Sequence, residues 1–361
     1  MGRLARKPRI NLYTVSATGL TGLSLLSLVI PVNFVTESPG PTFNTIGEFN
    51  KKPLIEIEGA ETYPVTGYLD MTTVQVAGGP NSTLGSLGAL STWLEESTTV
   101  LPSDLVYDPT VTSEEVSARN SADMTNSQEV AQAAALTQLG IDYTETLNVS
   151  GAVEGGPSEG LVQEGDIITD INDEPLTKYS DLTDRVNASG GQPVTVTLKR
   201  DAQTQQVTVT PVYNDKSGRY VLGLYLSRTF NFPLTVKYGL EEVGGPSAGM
   251  MFALGIIDEL TEGDMTGGEH FAGTGTIESD GTVGPIGGIE QKMKGAADAG
   301  ATVFLAPASN CDEVVGKVPS RLSVVKVETL DEAVEAVTRI GQGQDPANFP
   351  TCTAPKVGAE S

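Results

Sequence analysis

One histidine, two cysteines and one tryptophan are all that 361 residues contain of these types. So few imidazoles and thiols cannot build an ordinary zinc site, and no metal is expected. A Ser-His-Asp hydrolase is nearly excluded, because His270 would be its only candidate base. His270 follows Thr266-Gly267-Gly268-Glu269 and reads as an exposed loop residue. Positive charge is scarce too: 22 basic residues face 46 acidic ones, a formal net charge of −24. That balance repels nucleic acid and favours solubility, and most of the carboxylates read as a solvated face. A Gly-x4-Gly-Lys-Ser/Thr phosphate loop is missing, since Gly78-Gly79-Pro80-Asn81-Ser82-Thr83-Leu84-Gly85 has no lysine. No ATPase module and no cofactor are expected within this chain.

Long uncharged apolar runs are also rare. The single one, Ile10 to about Val32, is diluted by Thr14, Ser16, Thr18, Thr21, Ser24 and Ser27. Roughly 20 residues suffice to span a bilayer. Arg3, Arg6, Lys7 and Arg9 precede it, which places residues 1–9 in the cytoplasm, makes 10–33 a transmembrane anchor and puts the rest outside. A cleaved signal peptide is the rival reading. The following Asn33-Phe34-Val35-Thr36-Glu37 offers no small-x-small cleavage site, which favours the anchor.

What is present centres on Glu242-Val243-Gly244-Gly245-Pro246-Ser247-Ala248-Gly249-Met250. Gly244 and Gly245 allow a tight turn and a close approach to a ligand. The apolar run Ala248 to Ile257 then reads as a buried helix with Ser247 at its start. Ser247 is either an N-cap or a nucleophile beside free helical N–H groups. A second stretch runs Gly287-Gly288-Ile289-Glu290-Gln291-Lys292-Met293-Lys294-Gly295-Ala296-Ala297. At helical spacing Ile289, Lys292, Met293, Ala296 and Ala297 share a face, while Glu290, Gln291 and Lys294 point elsewhere. Lys292 is then either a snorkelling stem or a buried amine with a lowered pKa, able to serve a serine nucleophile as base.

Gly245-Pro246-Ser247-Ala248-Gly249, Thr274-Gly275-Thr276-Ile277 and Pro285-Ile286-Gly287-Gly288-Ile289-Glu290-Gln291-Lys292 together resemble the proteolytic domain of Lon proteases. The resemblance implies a Ser-Lys dyad with Ser247 as nucleophile and Lys292 as general base, at close to the family's usual spacing. Thr274 matches a threonine that orients the dyad, and Gly245 supports the turn before the serine. One departure is Gly244, where many Lon proteases carry an acidic residue.

Shorter signals organise the rest. Leu54–Glu58 and Gly67–Val76 read as strands, the latter as one strand or a pair. Residues 38–47 read as a Pro/Gly-rich lead-in, Leu84–Glu95 as a helix carrying Trp93, 100–123 as mixed and polar, and Glu129–Leu139 as a helix ended by Gly140. Between 142 and 212 short strands alternate with turns around a helix, Ser180–Val186. Gly156-Pro157-Ser158-Glu159-Gly160-Leu161-Val162-Gln163-Glu164-Gly165-Asp166-Ile167-Ile168 resembles a PDZ core, which implies peptide capture by strand addition; a β-rich spacer is the plainer alternative. Strands and helices alternate again to residue 340.

The expected fold is an α/β (α+β) Lon-type proteolytic domain with an inserted β-rich PDZ-like domain and one N-terminal transmembrane helix. Its segments are 38–123 (first part of the protease), 124–213 (PDZ-like with a leading helix), 214–340 (the dyad-bearing part) and a 341–361 tail. The resemblance is to membrane-anchored bacterial proteins with PDZ and Lon domains. It implies polypeptide substrates, contact with the lipid bilayer through 10–33, no nucleic acid, and room for a homo-oligomer. A peptide-binding scaffold with a vestigial protease domain is the alternative. With the anchor reading, Cys311 and Cys352 would lie in an oxidising compartment and, as the only two cysteines, could form a single disulfide; free cytosolic thiols are the other option.

Overall fold

The computed structural model describes residues 12–29, 31–81, 84–95, 97–108, 110–215, 217–240 and 243–354. The basic cluster of 1–9 and both ends of the expected 10–33 span lie wholly or partly outside these residues. An 18-residue helix, Leu12–Val29, covers the middle of that span. Among the described residues, no helix is long and apolar enough to cross a membrane. Pro31–Val32 pairs with Leu84–Gly85, which leads into the short helix Ser86–Trp93.

The main domain is built on a six-stranded sheet. Its order is Ser323–Val327, Val303–Pro307, His270–Gly273, Tyr68–Gly78, Phe34–Asn44 and Thr99–Pro102. The first four strands are parallel; Phe34–Asn44 runs antiparallel to them, and Thr99–Pro102 antiparallel to Phe34–Asn44. Every residue of Val303–Pro307 is buried, because both faces of the sheet are covered. Val303 and Leu305 face one core with the helices Gly249–Leu260 and Leu330–Gly341. Phe304 and Ala306 face another with Ile289 and Met293 of the helix Ile289–Ala299. The two helices that carry the sequence motifs thus pack on opposite faces, and their starts meet at one end of the sheet.

Three local expectations are corrected. The Pro/Gly-rich lead-in is an 11-residue strand, Phe34–Asn44; Pro39, Gly40 and Pro41 fall where its register shifts, a place that tolerates a missing N–H donor. The helix expected over 129–139 is Ser113–Gln138, started by a Thr112–Glu115 capping box. It does not lead the PDZ-like domain: Met124, Val130, Ala131, Ala134 and Ala135 enter the core of the serine-bearing helix. His270 is not an exposed loop residue. It opens a core strand, its side chain is 18% exposed, and Nε2 lies 2.8 Å from an Asp70 carboxylate oxygen. Parallel pairing of His270 with Tyr68 brings that about.

The inserted domain has its own core around Leu147, Ile171, Leu182, Val196 and Leu198. Its sheet runs Gln203–Val209, Val194–Arg200, Ile167–Ile171, Thr144–Ala152 and Leu224–Asn231, with the helix Tyr179–Ala188 packed on it. The last strand lies beyond the expected 213 boundary, yet pairs along its length with Thr144–Ala152.

The tail is anchored rather than loose up to residue 354. Phe349 packs on the main core, Lys326 N–H donates to the Pro350 carbonyl, and Cys311 and Cys352 are disulfide-bonded. Residues 355–361 are outside the described set.

Candidate active site

Ser247 occupies the turn just before the helix Gly249–Leu260, whose N-cap is Ala248. Gly245 has φ +94°, a conformation that costs other residues about 1–2 kcal/mol. Gly245 N–H donates to the Asn120 carbonyl, and Ser127 Oγ donates to the Pro246 carbonyl. The long Ser113–Gln138 helix therefore fixes the turn from outside. Gly249 is packed so that a Cβ would stand 2.7 Å from Ile277 Cγ2.

Gly244, the departure from the Lon pattern, stands where a side chain would be crowded. A Cβ there would lie 2.6 Å from Asn120 Cβ and 3.2 Å from Asn120 backbone atoms. Gly244→Asp should force the helix and turn apart, costing about 1–3 kcal/mol and slowing any reaction at Ser247. Thermal unfolding of the variant checks this; an unchanged midpoint would show that the helix yields freely.

Lys292 is 3% exposed and lies one turn into the helix Ile289–Ala299, after Gly288 in the left-handed region (φ 68°). Its Nζ is 2.6 Å from Ser247 Oγ and 2.9 Å from Thr274 Oγ1. Burial pulls the amine down from 10.5 to about 7. Thr274 is itself fully buried, and its Oγ1 donates to the Ser247 carbonyl at 2.9 Å. That hydroxyl has one proton and has committed it. It can only accept from Lys292, which leaves the lone pair of a neutral amine available to accept from Ser247. Gln291, expected to face away, is also buried; its Nε2 donates to Thr99 Oγ1 at 2.7 Å.

Ser247 and Lys292 open onto a cleft of about 900 Å³, with Thr274 buried behind them. One wall is the strand segment Met71–Val76; the other comprises Val243, Gly244, Pro246, Thr276 and Pro285–Gly287. Tyr68–Met71 pairs with His270–Gly273, but beyond Met71 no strand pairs on that side among the described residues. Thr72–Val76 thus offers backbone groups to an extended ligand. The alternation Thr72-Thr73-Val74-Gln75-Val76 was the available signal for this wall. Nothing in the polar 113–128 stretch signalled Asn120 or Met124. Among the described residues, no cluster of His, Cys, Asp or Glu could hold a metal ion.

Residues 234–339 match the Lon protease (S16) C-terminal proteolytic domain. The Lon-type domain is also similar to curated Lon proteases at modest identity. Lon protease 1 of Sorangium cellulosum is 39% identical over 108 residues, 29% of this chain and 13% of that protein. The Lon protease of Clostridioides difficile is 32% identical over 122 residues, 33% of this chain and 15% of that protein. The archaeal Lon protease of Methanothermobacter thermautotrophicus is 32% identical over 119 residues, 32% of this chain and 18% of that protein. The chain therefore spans under a fifth of the length of these relatives.

Residues 149–200 match a PDZ domain. Solved PDZ domains of SdrC-like proteins from Listeria innocua and Listeria monocytogenes each align at 21% identity and a TM-score of 0.21. They cover 22% of this chain, and 92% and 85% of those chains. In the inserted domain an apolar groove runs between the helix Tyr179–Ala188 and the edge strand Leu224–Asn231. Leu182, Val186, Leu222, Leu224 and Leu226 line it. Gly223, at φ +66°, heads the strand, and a Cβ there would meet Pro157 at 2.8 Å. The sequence stretch Val221-Leu222-Gly223-Leu224 lay outside the segment read as PDZ-like, which is why no groove residue was expected there.

Proposed function

We propose that this chain is a membrane-anchored serine endopeptidase that cleaves extended polypeptides outside the cytoplasmic membrane, with no ATPase module of its own. Ser247 is the nucleophile and Lys292 the general base. The observation that carries the reading is Lys292 Nζ at 2.6 Å from Ser247 Oγ, in surroundings that lower the amine's pKa to about 7.

An extended substrate adds as a strand along Thr72–Val76, which brings a peptide carbonyl over Ser247. Ser247 Oγ attacks that carbonyl carbon while its proton passes to the neutral Lys292 amine. Backbone N–H groups of the Ser247 turn stabilise the tetrahedral oxyanion; Met250 N–H is not among them, because it donates to the Gly275 carbonyl. The Lys292 ammonium then gives its proton to the departing amine, leaving an acyl-serine. A water attacks the ester, passes its proton to Lys292, and Ser247 recovers it as the acid product leaves. Thr274 keeps the amine aimed throughout. The groove of the PDZ-like domain captures apolar segments of the same substrate.

The anchoring half rests on the uncharged run around Leu12–Val29, whose Tyr13, Leu20 and Leu23 are 84%, 72% and 67% exposed. That placement also puts the Cys311–Cys352 disulfide in an oxidising compartment.

The purified full chain should cleave an unfolded, reduced and alkylated protein without ATP, and Ser247→Ala should be inert. Fragment mapping by mass spectrometry reads it. Intact substrate after prolonged incubation with the wild-type chain would favour a scaffold that only binds peptides.

A further inference from the structure

The strand Leu224–Asn231 alternates half-buried and exposed residues, so Leu224, Leu226, Arg228 and Phe230 share a face. The first two line the groove. Arg228 follows them toward the Lon-type domain, with its side chain only 15% exposed. Its Nε lies 3.7 Å from Glu145 Oε1, and its Nη1 lies 3.5 Å from both Glu278 Oε2 and Ser279 Oγ. Its Cζ is 5.3 Å from the centroid of the Tyr179 ring. Glu145 and Tyr179 belong to the inserted domain, Glu278 and Ser279 to the Lon-type domain. One guanidinium therefore joins the two.

Its partner on the insert is demanding. The Glu145 side chain is fully buried; Oε2 accepts from Tyr179 N–H at 2.8 Å, while Oε1 has no hydrogen bond. Burying a carboxylate is costly unless charge faces it, and Arg228 and Lys178 supply that charge. Arg228 is thus held in place on its own domain.

Its partners across the boundary begin a short path to the site. Glu278 and Ser279 form the turn of the hairpin that pairs Thr276–Ile277 with Val283–Gly284. Glu278 N–H donates to the Thr282 carbonyl, and Gly281 N–H to the Glu278 carbonyl. The strand leading into this turn reaches the serine directly: Gly275 N–H donates to the Ser247 carbonyl at 2.9 Å. Thr276 lines the cleft.

We propose that Arg228, although part of the PDZ-like sheet, is a positioning residue for the Ser247–Lys292 site: it clamps the Glu278–Ser279 turn so that the hairpin holds residues 274–276 against Ser247. Misplacing reacting groups by about 1 Å can cost about 100-fold in rate, so a partial loosening is read as a smaller loss of kcat. The kinetic half of this inference rests on the proteolytic reading; the structural half does not.

The test uses the full chain, a short fluorogenic peptide ester and hydrogen exchange at the amides of 277–283. Arg228→Ala should lower kcat about tenfold, leave KM within about twofold and speed exchange across the turn. Arg228→Lys should restore much of both, because a cation remains beside Glu145 and Glu278. Arg185→Ala is the control: its ion pair with Glu174 lies within the insert and should leave kcat and exchange at 277–283 unchanged. The proposal is overturned if Arg228→Ala keeps wild-type exchange at 277–283. It is equally overturned if Arg185→Ala loosens the turn as much, since destabilising the insert would then suffice. A wild-type chain that turns over no ester would sink the proteolytic reading, while exchange at 277–283 would still decide the role of Arg228.

Discussion

Lys292→Ala and Lys292→Arg should each reduce acylation of Ser247 by about 1,000-fold or more, within the range that a positioned base contributes together with its alignment. Alanine removes the base. Arginine keeps a cation that cannot deprotonate at any working pH, so no lone pair faces Ser247. Retained bulk therefore does not rescue the site, and the pair of variants separates base catalysis from packing. Lys294→Ala is the matched control. It sits two residues on, partly exposed and paired with Asp298, and should change the rate little. A dead Lys294 variant beside an active Lys292 variant would reverse the assignment. The distance argues against that: Lys292 Nζ is the amine 2.6 Å from Ser247 Oγ.

Opening the disulfide should have the largest effect on stability. Cys311 and Cys352 are 41 residues apart in sequence. Cross-linking a loop of that length removes unfolded-state entropy worth about 4 kcal/mol in the chain-entropy model. The double variant Cys311→Ala/Cys352→Ala should therefore unfold at a clearly lower denaturant concentration, with hydrogen exchange rising first around 345–354. Part of the tail should stay associated, since Phe349 packs on the core and lies 5.5 Å under the Arg339 guanidinium. An unchanged midpoint would mean that this packing alone holds the tail. Non-reducing mass mapping of protein exported by its native host is the companion test: two freely alkylated thiols there would count against the extracytoplasmic placement.

The site was legible in the sequence because its parts are local. Ser247 and Lys292 each sit at the start of a helix whose apolar stripe can be read at helical spacing, and Thr274 lies in a short strand turn between them. The stripe of Ile289, Met293 and Ala296 put Lys292 on the core-facing side, and the structure decides between a snorkelling stem and a buried amine by burying it. Features set by distant pairing were not legible. His270 became a half-buried partner of Asp70 only because its strand lies parallel to Tyr68–Gly78. The Ser113–Gln128 half of the long helix is polar on most sides, so periodicity gave no warning; Met124 and Ser127 are buried by packing against the serine turn. Leu224–Asn231 does alternate, but which sheet it completes depends on a partner some 80 residues earlier. Nothing in the sequence singled out its Arg228, which that pairing places beside Glu145 and Glu278.

The measurement closest to the central claim is the pH dependence of Ser247 acylation by a serine-reactive acylating probe, mapped by mass spectrometry in the full chain. Burial lowers the Lys292 amine to about 7, so the neutral, proton-accepting form grows as pH rises through that value. The rate should be low near pH 5, climb with a midpoint at about 7 and level off above pH 8. Lys292→Ala should show no such rise. A wild-type rate that is flat across this range, or that first rises near the ordinary lysine value of 10.5, would contradict a buried lysine acting as the base.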